Sequence, residues 1–212
     1  MNIEPAARRY RRASRVAEGF ARGKMKGDPV YAAVLSRLHE GGTLLDVGCG
    51  EGYLLALATE QGAGTLVGLD HDARRLALGQ TALNDVADCR LISGDVRTAE
   101  LPQADVITCL DVLHYQAPDE QDAILVRLAD ALRPGGVLFV RDASSGQGLW
   151  SAITALSERV AVAIGRHLGD GVFFRAPGEL EAAMRAAGLE VTTEDCSAGT
   201  PFSNVLYTGR RP

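Results

Sequence analysis

A short apolar run that ends in closely spaced glycines is the part of the sequence best suited to bind a ligand. The run Leu44–Val47 leads into Gly48, Gly50 and Gly52. Glycines permit backbone angles that other residues avoid and let a ligand approach the main chain, and the N-terminus of a following helix favours negative charge. This order of residues predicts a strand, a ligand-binding turn and a helix.

An acidic residue follows at a spacing that fits a nucleoside. Asp70 comes 18 residues after Gly52, at the end of the second predicted strand, where its carboxylate can accept hydrogen bonds from both hydroxyls of a ribose. The glycine spacing is GxGxG, and Tyr53 stands where a dinucleotide fingerprint requires its last glycine. The spacing therefore favours a nucleoside over a pyrophosphate.

His114 is the candidate acid–base residue. It lies just past the fourth predicted strand, at the edge of the sheet that carries the glycine turn. Imidazole, with an ordinary pKa of about 6.5, is suited to remove a proton from a bound substrate. The alternative is that His114 is only a wall of the pocket.

The elements that must position these residues alternate from residue 43 onward. Short β-rich runs separated by longer helical patterns predict an α/β fold with a doubly wound, seven-stranded, mostly parallel sheet. The predicted strands are Thr43–Val47, Thr65–Leu69, Cys89–Ile92, Asp105–Leu110, Val137–Arg141, Leu189–Glu194 and Asn204–Thr208.

Helical periodicity fills the intervals between the strands. Residues 1–40 are predicted to form an N-terminal helical cap of the same domain, and residues 41–212 the α/β domain, with an insertion at about 143–176 that contains a helix. The predicted helices are Glu4–Phe20, Pro29–Leu38, Glu51–Gln61, Asp72–Leu83, Asp119–Leu132, an inserted helix near 149–164, and Pro177–Ala187.

Composition limits the classes to which the chain can belong. Its 212 residues are 46% hydrophobic and 23% charged, which is typical of a soluble globular domain. Its apolar runs are far shorter than the ~18 residues that cross a bilayer, so we expect a cytoplasmic protein without a membrane span. The four cysteines form no CxxC pair, so neither a disulfide framework nor a metal site is predicted.

The net charge of −5 conceals a basic N-terminus. Residues 1–26 contain eight basic and two acidic residues, whereas the rest of the chain contains 14 basic and 25 acidic ones. An acidic body repels a phosphate backbone, which disfavours an extended nucleic-acid surface. The basic segment is either a solvated helical face or an arm that docks an acidic partner.

Several motifs in register resemble those of the class I S-adenosylmethionine-dependent methyltransferases. The resemblance covers about residues 40–210, and the motifs are Asp46–Gly52, Gly68–Asp70, Gly94–Val96, Leu110–Tyr115 and Leu132–Gly136. It implies S-adenosylmethionine as the cofactor and methyl transfer by in-line displacement. Alignment and exclusion of water supply most of the acceleration in such a reaction.

The resemblance also implies which residues hold the cofactor. The glycine turn and the acid before it would line the amino-acid part of the cofactor; these residues are Asp46, Gly48, Cys49 and Gly50. The ribose would lie against the second-strand acid Asp70 and its neighbour His71, and the adenine against Asp95 and Val96 after the third strand. Leu110 and Asp111, at the end of the fourth strand, would lie next to the transferring methyl group.

In this family the acceptor lies under a cover made of the segments before the first strand and after the fifth, and both are enlarged here. Aromatic side chains with one cation predict a pocket for a small aromatic or acyl acceptor; they are Tyr31, Trp150, Phe173, Phe174 and Arg175. Enzymes that act on nucleobase amines share an Asn/Asp-Pro-Pro-Tyr/Phe turn. This chain has Asp111–His114 there, which disfavours such acceptors.

A second, shorter resemblance concerns the stretch Lys24–Tyr31, which is similar to part of the methyltransferases of bacterial aryl-polyene pigment clusters. It implies secondary metabolism and an acceptor bound to an acidic acyl carrier protein. The basic segment, with Arg8, Arg9, Arg11 and Arg12, would then raise the rate of encounter with that carrier. We expect a monomer or a homodimer.

Two other functions stay open. A glycine turn followed by an acid would also hold the adenosine ribose of a nicotinamide-dependent oxidoreductase, although Tyr53 and the motifs at Asp95 and Asp111 count against this. A protein that binds S-adenosylmethionine without catalysis is also compatible, because in-line displacement requires no obligatory catalytic residue.

Overall fold

A single seven-stranded sheet organises the chain. The computed structural model describes residues 1–143, 173–176, 178–196 and 204–212. Within these residues the strand order is β3-β2-β1-β4-β5-β7-β6. The strands are β1 Leu44–Val47, β2 Leu66–Asp70, β3 Cys89–Ser93, β4 Ala104–Leu110, β5 Leu132–Ala143, β6 Glu190–Asp195 and β7 Asn204–Arg210. Strand β7 is antiparallel to both β5 and β6, and the other pairs are parallel. The predicted doubly wound, mostly parallel fold is confirmed.

Helices cover both faces of this sheet. Alternate residues of a strand point to opposite faces, and Leu44 and Leu45 of β1 accordingly belong to two separate clusters of buried side chains. One cluster joins the sheet to the helices before β3, and the other joins it to the two later helices. The helices are α1 Glu4–Arg9, α2 Arg15–Gly27, α3 Val30–Leu35, α4 Tyr53–Thr59, α5 Ala73–Leu83, α6 Pro118–Ala131 and α7 Glu179–Ala186.

The N-terminal segment differs from its prediction. The single helix predicted over Glu4–Phe20 is wrong, because Ser14 is extended and its hydroxyl accepts the N–H of Ala17, which starts a new helix. Helix α2 then continues past the predicted helix end at Phe20 to Gly27. It stops where Asp28 takes an extended backbone before Pro29, as residues that precede proline usually do.

Strand β5 begins earlier than the predicted Val137. The Pro-Gly-Gly stretch expected to separate helix from strand lies within β5, whose register with β4 shifts between Ala104 and Val106. A β-bulge of this kind absorbs extra residues without ending the strand. The predicted inserted helix near 149–164, Trp150 and Pro177 lie outside the described residues. Across the described ranges, no helix is both long enough and apolar enough to cross a membrane.

Candidate active site

The turn after β1 is fixed by the main chain. The N–H groups of Gly48 and Cys49 donate to the carbonyl of Leu69 at 2.7 and 3.2 Å, which holds the turn against the end of β2. Gly48 and Gly50 have φ of 75° and 55°, a region that other residues rarely adopt. Cβ atoms at Gly48 and Gly50 would overlap Val112 and the Arg75 guanidinium, respectively. The turn therefore fits closely between the end of β4 and the start of α5.

Asp70 links this turn to the next helix. Its carboxylate is 4% exposed; Oδ2 accepts the N–H of Gly50 at 2.7 Å and Oδ1 accepts the N–H of Asp72 at 2.8 Å. Each carboxylate oxygen can accept a further hydrogen bond, so the group suits a ribose diol. His71 is exposed beside it, with Nδ1 3.5 Å from Asp70 Oδ1.

Asp46 is a buried carboxylate on the same edge of the sheet. It is 5% exposed and accepts a hydrogen bond from the Thr108 hydroxyl at 2.7 Å. Burial raises the pKa of Asp46 to about 7; the hydrogen bond from Thr108 opposes this shift and the charge of Asp70 adds to it. A cation placed beside this carboxylate would favour its charged form.

The predicted adenine side lies after β3. Asp95 pairs with Arg97 at 2.6 Å, and the hydrogen bonds from that guanidinium lower the pKa of the Asp95 carboxyl. Val96 is buried, and its carbonyl accepts the Nε–H of Arg127 at 3.1 Å. Both residues are therefore fixed by contacts within the fold.

An ion-pair network around the buried Arg141 closes the other side of the site. Arg141 on β5 donates to Asp111 at 3.0 and 2.5 Å and to Asp28 at 2.6 Å. Burial alone would raise the pKa of Asp28, but the Arg141 hydrogen bond and charge outweigh it, so the pKa is lowered. Asp111, which follows the half-buried Leu110, has a φ of 59°. This network ties the N-terminal segment to the ends of β4 and β5.

His114 has an acidic partner that the sequence did not reveal. It lies in a short 3-10 turn, Leu113–Tyr115, and its Nδ1 is 2.7 Å from Oδ1 of Asp142 on β5. The two side chains are 12% and 9% exposed. Because a carboxylate only accepts, Nδ1 donates to Asp142, and Nε2 has no hydrogen-bond partner among the described residues.

Two predicted pocket residues contact His114 directly. The Phe174 ring stacks on the imidazole with centroids 5.1 Å apart, and the N–H of Phe173 donates to the His114 carbonyl at 2.8 Å. Tyr31 is buried in α3; burial and the charges of Asp28 and Asp46 raise the pKa of its phenol. Aromatic surface from both cover segments therefore lies at the same edge as the acidic residues.

Arg175 contacts residues of α6. Its guanidinium pairs with Asp122 at 2.7 Å and donates to the carbonyl of Pro118, both on α6. The cation that the sequence assigns to the acceptor pocket is thus engaged by the neighbouring helix. Trp150 lies outside the described residues.

The basic N-terminal segment is largely paired within the chain. Arg9 contacts Glu60 and Asp85 at 3.2 and 2.9 Å, and Arg12 contacts Asp85 at 2.6 Å. Next to these arginines, the Tyr10 hydroxyl donates to the carbonyl of Glu51 at 2.8 Å. The segment therefore contacts the ends of α4 and α5 and the glycine turn. The charge of the segment alone did not predict these contacts within the chain.

Comparisons with known proteins agree with this geometry. A family model described as a methyltransferase domain matches residues 19–194. A ubiquinone biosynthesis O-methyltransferase of Pseudomonas paraeruginosa is 34% identical over 156 residues, which cover 71% of this chain and only 66% of that protein's length.

Solved structures show the same fold at low identity. A magnesium protoporphyrin IX methyltransferase from Synechocystis PCC 6803 with bound SAH has a TM-score of 0.68 at 19% identity and is matched over 93% of this chain and 88% of that one. The [4+2]-cyclase SpnF has a TM-score of 0.67 at 18% identity over 86% and 80% of the two chains. The fold therefore does not by itself fix the reaction.

Proposed function

The chain belongs to the methyltransferase-domain family, and from this premise we propose that it transfers a methyl group from S-adenosylmethionine to a hydroxyl oxygen of a small aromatic acceptor. The observation that carries the choice of oxygen is the contact between His114 and Asp142. A hydroxyl must lose its proton as it accepts a methyl group, and an imidazole oriented by a carboxylate is suited to take it. The similarity to an O-methyltransferase supports the same choice.

The residues present fit the cofactor. The glycine turn offers main chain to the amino-acid part, the buried carboxylate of Asp46 suits its ammonium group, and Asp70 can accept both ribose hydroxyls. Asp95 and Val96 would border the adenine. When bound, S-adenosylmethionine supplies an activated methyl group together with its leaving group. The protein then has to align the acceptor and exclude water.

His114 is proposed as the base. Its Nδ1–H stays on Asp142 while Nε2 accepts the proton of the acceptor hydroxyl, and the Asp142 carboxylate stabilises the imidazolium that forms. Phe174, stacked on the ring, restricts its orientation. We propose a free small molecule rather than a carrier-bound acceptor, since Arg9 and Arg12 are paired with acidic residues of the chain itself.

Calorimetry tests the choice of cofactor. S-adenosylmethionine and S-adenosylhomocysteine are expected to bind, and NAD is not. Binding of NAD alone, or of none of the three, would contradict the proposal. Binding of S-adenosylmethionine without transfer to any phenol would favour the non-catalytic alternative.

Two phenols of different acidity test the base. We expect His114→Gln to lower kcat/KM for catechol by roughly 100-fold and to lower it much less for 4-nitrocatechol, a large part of which ionises without help near neutral pH. His39→Gln, at an exposed histidine, is the control and is expected to change neither. Equal losses for both phenols would show that His114 acts as a pocket wall only.

A further inference from the structure

Arg75 lies directly on the glycine turn. It is in the first turn of α5, five residues after Asp70, and Asp72 caps this helix by accepting the N–H groups of Arg74 and Arg75. Its guanidinium contacts the side of Gly50 from which a Cβ would project. The connection between β2 and α5 therefore brings a cation to the turn assigned to the cofactor.

Glu51 holds this guanidinium in place without using all its donors. Nε and Nη2 of Arg75 donate to the two carboxylate oxygens of Glu51 at 3.0 and 2.8 Å. A guanidinium has five N–H groups, and the described residues accept no others from Arg75. The Arg75 side chain is 49% exposed, whereas Glu51 is 19% exposed. The guanidinium is therefore fixed at the turn and half exposed, and it keeps N–H groups for a ligand.

The same guanidinium is close to Asp70. The hydrogen bonds from Glu51 raise the pKa of Arg75, and the charge of Asp70 adds to that shift. Gly50 connects the two side chains, because its N–H is donated to Asp70 while Arg75 lies against its Cα. A donor and an acceptor thus contact the same residue of the turn.

We propose that Arg75 is a second ribose-binding residue, which donates an N–H to a ribose hydroxyl oxygen whose hydrogen Asp70 accepts. A hydroxyl group can donate to a carboxylate and accept from a guanidinium at once, so the two side chains are complementary to it. This inference rests on the proposed cofactor. The competing role is purely structural, in which the pair with Glu51 only joins α4 to α5.

Calorimetry with S-adenosylhomocysteine and its 2′-deoxy and 3′-deoxy analogues separates the two roles. We expect Arg75→Met to weaken S-adenosylhomocysteine binding roughly tenfold or more. It should weaken binding of at least one deoxy analogue by less than about threefold, because that analogue has already lost the accepting oxygen. Arg74→Met, at the exposed neighbouring arginine, is the matched control and should leave all three affinities unchanged.

Glu51→Gln keeps the guanidinium and one of the two oxygens that accept from it, so it should lower the affinity for S-adenosylhomocysteine by less than Arg75→Met does. A loss in Glu51→Gln as large as that in Arg75→Met, an equal loss for all three ligands in Arg75→Met, or no loss in Arg75→Met would overturn the inference. Thermal unfolding confirms that each variant is folded. Failure of the wild-type protein itself to bind S-adenosylhomocysteine is a different result, which rejects the proposed function.

Discussion

Replacement of Asp46 with asparagine should stabilise the fold while it weakens the cofactor site. Asp46 is buried in β1 and its described hydrogen bond comes from the neutral hydroxyl of Thr108. An asparagine carbonyl can accept the same bond. The substitution therefore removes a buried charge and leaves the shape of the site almost unchanged.

The magnitude follows from the pKa of Asp46, which burial raises from 3.8 to about 7. Between these values the folded protein keeps a proton that the unfolded chain has released, so the free energy of unfolding falls as the pH rises. At ~1.4 kcal/mol per pH unit, the cost to the wild-type protein is ~2 kcal/mol at pH 5 and ~4 kcal/mol at pH 8. The buried amide N–H groups of asparagine lower the free energy of unfolding by ~1–2 kcal/mol at either pH, which offsets part of the gain from removing the charge.

Urea denaturation at pH 5 and pH 8 measures this difference. The free energy of unfolding of Asp46→Asn, relative to the wild type, should increase by ~2–3 kcal/mol between the two conditions. Asp88→Asn, at an exposed carboxylate, is the control and should show no such change. A difference for Asp46→Asn that is the same at both pH values would refute the reasoning. Calorimetry should show weaker S-adenosylhomocysteine binding by the variant.

Two further predictions concern the N-terminal segment. Arg141→Met leaves the buried Asp28 with only the half-exposed Lys24 as a cation and should lower the free energy of unfolding by ~3 kcal/mol in urea denaturation; a loss below ~1 kcal/mol would contradict the assigned role of the pair. Replacing Arg9 and Arg12 with serine removes partly exposed ion pairs with Asp85 and Glu60, so the urea midpoint should fall only slightly, and by less in 1 M NaCl than at low salt. A fall of equal size at low salt and in 1 M NaCl would show that charge contributes nothing to the role of these arginines.

The doubly wound, mostly parallel sheet and the glycine turn were predictable because both leave local patterns in the sequence. Short apolar runs separated by helical periodicity define a parallel sheet. Glycines at the strand–helix junction mark the positions where the backbone adopts positive φ, as Gly48 and Gly50 do. The acid at the tip of β2 then lies beside them, since parallel strands end at one edge.

The partners of the site residues were harder to predict because they are distant in sequence. Asp142 meets His114 across 28 residues, and Arg141 meets Asp28 across 113. The adjacency of β4 and β5 placed Asp142 within reach, but no local pattern distinguishes it from a solvated strand end. The break before α2 also depends on one side chain, Ser14, whose capping role becomes visible only with the backbone around it.

The negative charges of the site's carboxylates are compensated in two different ways. Arg141 is enclosed between Asp28 and Asp111, so its charge is used within the fold, whereas the described contact of Asp46 is a hydroxyl. The ammonium group of the proposed cofactor would supply the missing positive charge and would lower the pKa of Asp46. Binding should therefore release a proton near pH 7 and tighten as the pH rises toward 8. Calorimetry in buffers of different ionisation enthalpy can detect the released proton as a buffer-dependent heat of binding. The Asp46 carboxylate, whose charge weakens the fold, is thus the group expected to strengthen cofactor binding.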